Sequence, residues 1–235
     1  MKRINYFSTI GFDSPIDEDY LPPDYIIHPK KWLGEQGKNY MYNKCPAWNE
    51  WGKNTWIVYQ PFDLEFEYIS EEKRIISNLP QGSFDQYFWM NKEWLTGEFP
   101  TIQLKDIYLF WTKEKDVWIE KIPHPLLSRR GVEVIPGTFP ISVWQRPILF
   151  GFNILDFDVN IKIPRGTPLY YIRFYSRKSD STFSLNRQIP PKEVIQSQRQ
   201  NVRLVEYDKF SSWDLIQDRL KKEESSCPFN FLWKR

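Results

Sequence analysis

Residues able to do chemistry are few in this chain, and their spacing limits what they can do. There are two histidines, His28 and His124, and both stand against proline: His28 precedes Pro29, and His124 lies between Pro123 and Pro125. Neither has a carboxylate two residues on, so the short pattern that feeds a two-histidine, one-carboxylate iron site is missing. The cysteines, Cys45 and Cys227, have no second ligand at the spacing a zinc site uses. No G-x-S-x-G elbow, glycine-rich phosphate loop or dinucleotide fingerprint occurs. No metal, no cofactor and no catalytic residue is therefore assigned.

Two groups near the start of the middle segment still need weighing. Lys44 and Lys53 flank Cys45 in sequence, and a thiolate held by them would be a nucleophile. The competing reading is a buried structural thiol, with Pro46 ending a strand or turn, and this is the one adopted. Asp63, Glu65 and Glu67 alternate with Phe62, Leu64, Phe66 and Tyr68. Paired carboxylates can act as general acid and base. The same row is also the wet face of an amphipathic strand, which is how it is read here.

Aromatic and cationic residues offer binding rather than catalysis. Trp48, Trp51, Trp89, Trp94, Trp111, Trp118 and Trp144 could stack on sugars or bases, or could fill a core and tie down loops. Trp48, Trp51 and Trp144 are carried forward as candidate contact residues. Arg129 and Arg130, with Arg146, Arg165, Arg173 and Arg177, surround the central strands. Guanidinium groups bind phosphate or carboxylate bidentately when they converge, and mean little when scattered. Arg129, Arg130 and Arg146 are the candidates from this set.

The elements that must position these residues are mostly strands. The 235 residues carry 17% aromatics and 18 Pro against 10 Gly, which favours short strands punctuated by proline over long helices. A net charge of +2 is too mild to require nucleic acid, so a nucleic-acid partner is not expected. No run approaches a membrane span, and no secretory signal is read at the N-terminus, so no membrane partner is expected and free thiols in a reducing cytoplasm are.

Residues 1–50, with Pro15, Pro22, Pro23 and Pro29, read as an irregular arm anchored by aromatics. From Phe62 to Tyr68 the period of two gives a strand, paired with "KRIISNL" across the turn Ser70–Lys73. Ile102–Trp111 and Val117–Ile122 are expected to form a hairpin across Lys113–Asp116. "TFPISVW", "PILFGFNI", "FDVNIKI" and "TPLYYIRFYS" read as further strands. "KEVIQSQRQNVRLVE" after Pro191 reads as a helix, and "SSWDLIQDRLKKEE" as a second. Ser211 caps the second, and Trp213, Ile216 and Leu220 are expected on its inner face.

Two resemblances add to this. "CPAWNEW", "KNTWIVYQPFDLEF", "PGTFPISVWQRPILFGFNI" and "IKIPRGTPLYYIRF" resemble a set of uncharacterised proteins of tailed bacteriophages, marine and cyanophage types included. The resemblance implies a viral source and no activity. It marks Cys45, Pro46, Pro61, Phe62, Asp63, Trp144, Arg146, Pro147, Gly166, Pro168 and Leu169. The layout "SRRGVEVIPGTF…FGFNI…IKIPRGTPLYYIRF" is similar to the trimeric dUTPase and dCTP-deaminase β fold. That likeness implies phosphate contacts at Ser128, Arg129 and Arg130, although the family's uridine-pocket motif and glycine-rich arm are not visible.

The expectation is a mainly β protein: an antiparallel β-sandwich or jelly-roll-like core with a C-terminal amphipathic helix. Residues 1–50 would form the arm, 51–188 the core and 189–235 a helical segment packed on it. Its function is expected to be an accessory one in the host cytoplasm or the virion, exerted by binding a host or phage protein or by forming a homo-oligomer. One alternative is an enzyme or sensor for a phosphorylated small molecule such as a nucleotide. Another is a glycan-binding or virion-surface module.

Overall fold

The computed structural model describes residues 1–8, 26–31, 44–79, 88–89, 95, 98–104, 108–145, 147, 150–206 and 211–225. Within them the strands are β1 (Lys2–Ser8), β2 (Ile26–Ile27), β3 (Thr55–Tyr59), β4 (Leu64–Ile69), β5 (Arg74–Ser77), β6 (Phe88–Trp89), β7 (Thr101–Leu104), β8 (Tyr108–Trp111), β9 (Trp118–Pro123), β10 (Val132–Val134), β11 (Gly137–Pro140), β12 (Phe150–Ile154), β13 (Ile161–Ile163), β14 (Pro168–Tyr175) and β15 (Phe183–Arg187). The helices are α1 (Pro46–Trp51), α2 (Pro125–Ser128), α3 (Lys192–Glu206) and α4 (Ser212–Ser225). The molecule is mainly β, built from several antiparallel sheets in a sandwich-like arrangement, with helices at its C-terminal end.

Four sheets share one interior. Their orders are β15-β1-β8, β10-β12-β7-β6, β11-β9-β14-β3-β2 and β13-β4-β5. Alternation explains how each contributes. On β4, Leu64, Phe66 and Tyr68 are buried while Glu65, Glu67 and Ile69 are half-exposed, as the sequence period requires. On β14 the row Tyr170, Ile172 and Phe174 enters the common core with Trp56 and Val58 of β3 and Ile119 of β9. The opposite row, Tyr171, Arg173 and Tyr175, lies on the outer face of the five-stranded sheet. Core aromatics meet edge-on or tilted, as with Trp56 and Phe174 at 5.4 Å and Phe110 and Phe174 at 5.8 Å.

The β4–β5 hairpin forms as its sequence indicates, with Lys73 taking a positive φ of 51° in the turn. The expected hairpin of Ile102–Trp111 with Val117–Ile122 does not form. That stretch contains two strands, β7 and β8, in different sheets, and β9 pairs with β11 and β14 instead. The reading of residues 1–50 as irregular also gives way at its start. β1 lies between β15, with which it runs parallel, and β8. Ile4 and Tyr6 face the core, and Phe7 faces the other way, against Leu109, Trp111 and Val194 of α3.

The C-terminal helices pack on this frame. In α3, Asn201 is fully buried and donates through Nδ2 to the Gln145 carbonyl at 2.8 Å. In α4, the Asp214 N–H reaches the Ser211 hydroxyl at 3.4 Å, the expected cap. Ile216 is buried and Leu220 half-buried, but Trp213 points outward, 52% exposed, contrary to its expected place on the inner face. Arg219 supplies the anchor instead, donating to the Val143 carbonyl at 3.0 Å and lying 5.2 Å from the Trp144 ring.

Candidate functional site

The site starts where β9 ends. His124, extended at φ −95°, precedes α2 and accepts the Leu126 N–H on Nδ1 at 3.2 Å. Burial pushes its pKa down to about 4, so at neutral pH the ring is uncharged and keeps a lone pair for that bond. Pro125 opens the helical turn, which needs no N–H there, and Leu127 buries completely. This single turn sends Arg129 and Arg130 outward. Gly131 follows at φ +79°, and a Cβ there would sit 2.6 Å from Asp156 Oδ2, so only glycine fits the exit.

The facing wall is the turn from β13 into β14. The Thr167 N–H donates to the Pro164 carbonyl at 3.0 Å. Gly166, at φ +81°, donates to the Gln60 carbonyl at 2.9 Å, and Gln60 donates back to the Thr167 carbonyl at 2.9 Å. Asp63 Oδ1 accepts the Arg165 backbone N–H at 2.8 Å. The turn is thus clamped to the end of β3, and the Arg165 side chain is exposed at its tip.

Between these walls lies a pocket of about 500 Å³ lined by Arg129, Arg130 and Arg165. Leu126, Pro164 and Pro168 supply apolar surface, and Thr167 a hydroxyl-bearing side chain. Arg130 is oriented by donation from Nη1 to the Lys162 carbonyl at 3.2 Å. Lys162 itself is held by Glu65 at 3.1 Å, and Asn160 donates to the same carboxylate oxygen at 3.3 Å. These two contacts hold the Glu65 carboxyl below the usual range. The row Asp63 and Glu65 is therefore spent on organising turns. Chemically the pocket presents three guanidinium groups on a rigid frame, suited to an oxyanion with an apolar attachment.

The other candidates fall in different places. Trp48 and Trp51 are half-buried on α1, their rings 4.9 Å apart, and Trp51 stands edge-on to Tyr171 at 4.9 Å. Tyr171 also faces His124 at 4.7 Å, so the tryptophan seam and the arginine pocket are joined through one ring. Trp144 is 5% exposed under Arg219, away from both, and is packing rather than a contact residue. Arg146, Trp94 and Cys227 lie outside the described residues. Cys45 is half-exposed at the N-terminal end of α1, not buried as expected, because Pro46 begins a helix there rather than closing a strand. Ser128 does not line the pocket, whereas Gly166 and Pro168 do.

The sequence reading missed Leu126, Thr167 and the lysine of β9, Lys121, which is 9% exposed. A signal for Lys121 exists: it continues the inward row of Val117 and Ile119 at a spacing of two. Among the described residues no group of three or more His, Cys, Asp or Glu is placed to hold a metal, and no helix is long and apolar enough to cross a membrane. Compared with protein-family models and with curated proteins, the sequence matches none.

Proposed function

We propose that the protein is a binding protein whose site is the arginine pocket, and that its ligand is a small molecule bearing a phosphate group. One observation carries this reading. Arg129 and Arg130 leave one turn, Arg165 leaves another, and all three line the same pocket. Charge-assisted hydrogen bonds of this kind contribute about 1.5–3 kcal/mol each, so removing one guanidinium weakens binding by roughly 10- to 150-fold. Leu126, Pro164 and Pro168 would take the organic part of the ligand.

Calorimetric titration with inorganic phosphate, pyrophosphate and a phosphate monoester tests the reading. At ten times its Kd a ligand adds about 1.4 kcal/mol to stability, so thermal unfolding offers a second readout. Arg129→Ala and Arg165→Ala should each cut the shift to about 0.4 kcal/mol or less at the same ligand concentration. No heat and no shift with any of the three ligands at about 10 mM would overturn the proposal.

A second reading, contact with another macromolecule, is favoured by Phe99, Phe157 and Val159, which are 51%, 39% and 48% exposed. Their loops adjoin through the Ile154 N–H on the Pro100 carbonyl at 2.8 Å. Exposed apolar side chains grouped in this way mark interaction surfaces. Light scattering after size exclusion checks its self-association form, which Phe157→Asp should weaken.

A further inference from the structure

Both walls of the arginine pocket use their own backbone donors to hold their shape. In the turn before β14 the Arg165, Gly166 and Thr167 N–H groups go to the Asp63 carboxylate and the Gln60 and Pro164 carbonyls. In the facing turn the Leu126, Arg130 and Gly131 N–H groups go to the His124 ring nitrogen and the Leu127 and Ser128 carbonyls. The two left-handed glycines, Gly131 and Gly166, thus close their turns and do not build a backbone cradle for an anion. The oxygens of a bound anion are left to side chains, and the described lining offers Arg129, Arg130, Arg165 and the Thr167 hydroxyl.

Charge then sets how many phosphate groups suit the pocket. Three guanidiniums line it, and no acidic residue is among its described lining. The acids tied to these turns are engaged elsewhere, Asp63 with the Arg165 N–H and Glu65 with Lys162 and Asn160. A phosphate monoester brings about −1.5 to −2 at neutral pH, too little to offset three cations. The cations also come from two separate places, Arg129 and Arg130 from the end of α2 and Arg165 from the tip of the facing turn. Arg130 is tied to β13 by its bond from Nη1 to the Lys162 carbonyl at 3.2 Å, and a guanidinium has more donors than that one bond uses.

We propose, resting on the reading of this pocket as a phosphate site, that its ligand carries two linked phosphate groups, as the diphosphate ester of a small aliphatic alcohol. Arg129 and Arg130 hold one phosphate group and Arg165 the other. The organic group lies on Leu126, Pro164 and Pro168, whose surface is aliphatic.

Calorimetric titration of the full chain at matched ionic strength, with inorganic phosphate, pyrophosphate and butyl diphosphate as probes, tests this. Pyrophosphate should bind about tenfold or more tighter than phosphate, the effect of one further charge-assisted contact. Arg165→Ala should bring the two affinities within about threefold, because pyrophosphate then keeps one anchored group, as phosphate does. Lys113→Ala, which removes a charge from the exposed turn at the other end of β9, should leave the wild-type preference unchanged. Butyl diphosphate should bind at least as tightly as pyrophosphate. Equal affinity for phosphate and pyrophosphate in the wild-type chain overturns the inference and leaves the phosphate reading standing. So does a preference that survives Arg165→Ala, or one that Lys113→Ala removes equally. Binding of butyl diphosphate about tenfold weaker than pyrophosphate overturns the aliphatic assignment. Absence of binding by all three probes overturns the phosphate reading and the inference together. Arg165→Gln serves the same comparison if the alanine chain does not fold.

Discussion

Five arginines occupy two regions of this molecule and behave as two kinds of residue. On the outer face of the five-stranded sheet, Arg173 is bound to Glu120 at 2.6 Å, and the Arg177 guanidinium lies 3.4 Å from the centre of the Trp118 ring. Trp118 is held in turn by donation from Nε1 to Asp116 at 3.1 Å and by stacking on Tyr175. Asp116 also accepts from Ser176 and from the Lys178 N–H, bonds that keep its carboxyl below the usual range against the opposing effect of its partial burial. Here cations are absorbed into a ladder of rings and carboxylates. Around the pocket, Arg129, Arg130 and Arg165 stand exposed on turns and line one open volume, Arg130 held by the Lys162 carbonyl. The difference is in what surrounds each guanidinium: rings and carboxylates in the one region, pocket volume at the tips of turns in the other.

Stability measurements can break or sharpen this contrast. The largest effect is expected on the ladder: Trp118→Ala removes a side chain only 2% exposed and should cost about 3–5 kcal/mol in urea denaturation. A cost below about 1 kcal/mol would mean that the ladder is surface decoration. Next comes His124, whose ring lies 4.7 Å from that of Tyr171 at the edge of the pocket. Its folded pKa lies below the unfolded value near 6.5, so the unfolded chain binds the proton more readily and stability falls as pH drops from about 6.5 to about 4. The loss is on the order of 2–3 kcal/mol, and His124→Asn, which keeps an acceptor for Leu126, should remove that part of the slope. Glu120→Gln should cost only about 0.5–1 kcal/mol, since the pair is partly exposed. Arg129→Ala and Arg130→Ala should change stability by less than about 0.5 kcal/mol while weakening anion binding roughly 10- to 150-fold. Destabilisation of several kcal/mol there would place the pocket arginines with the ladder.

Legibility in the sequence followed the distance over which each feature is determined. The β4–β5 hairpin was readable because alternation and turn both lie between Leu64 and Ser77. The run from Ile102 to Trp111 looked like one strand because apolar residues recur along it on both sides of Lys105 and Asp106, and the change of sheet between Leu104 and Tyr108 is set by distant partners. Arg129 and Arg130 were legible as a cationic pair. That Arg165 joins them depends on the clamp between Gly166, Thr167 and Gln60, which joins parts of the chain about a hundred residues apart. Trp144, taken as a contact residue, is 5% exposed beneath Arg219, and Trp213, expected on the inner face, is 52% exposed, while Ile216 and Arg219 take the inward side of α4.

The parallel pairing of β1 with β15 has a consequence for how the chain acquires its structure. Lys2 meets Phe183 across roughly 180 intervening residues, and the other neighbour of β1 is β8. As the ribosome extends the polypeptide, β1 emerges well before β8 and long before β15, so its pairing is completed late. Pairing between segments so remote is slow to form, and an unpaired strand edge in the interval is a template for association with other chains. Removal of residues 1–8 would convert that temporary hazard into a permanent one, with β8 and β15 left facing a slot that any extended segment could occupy.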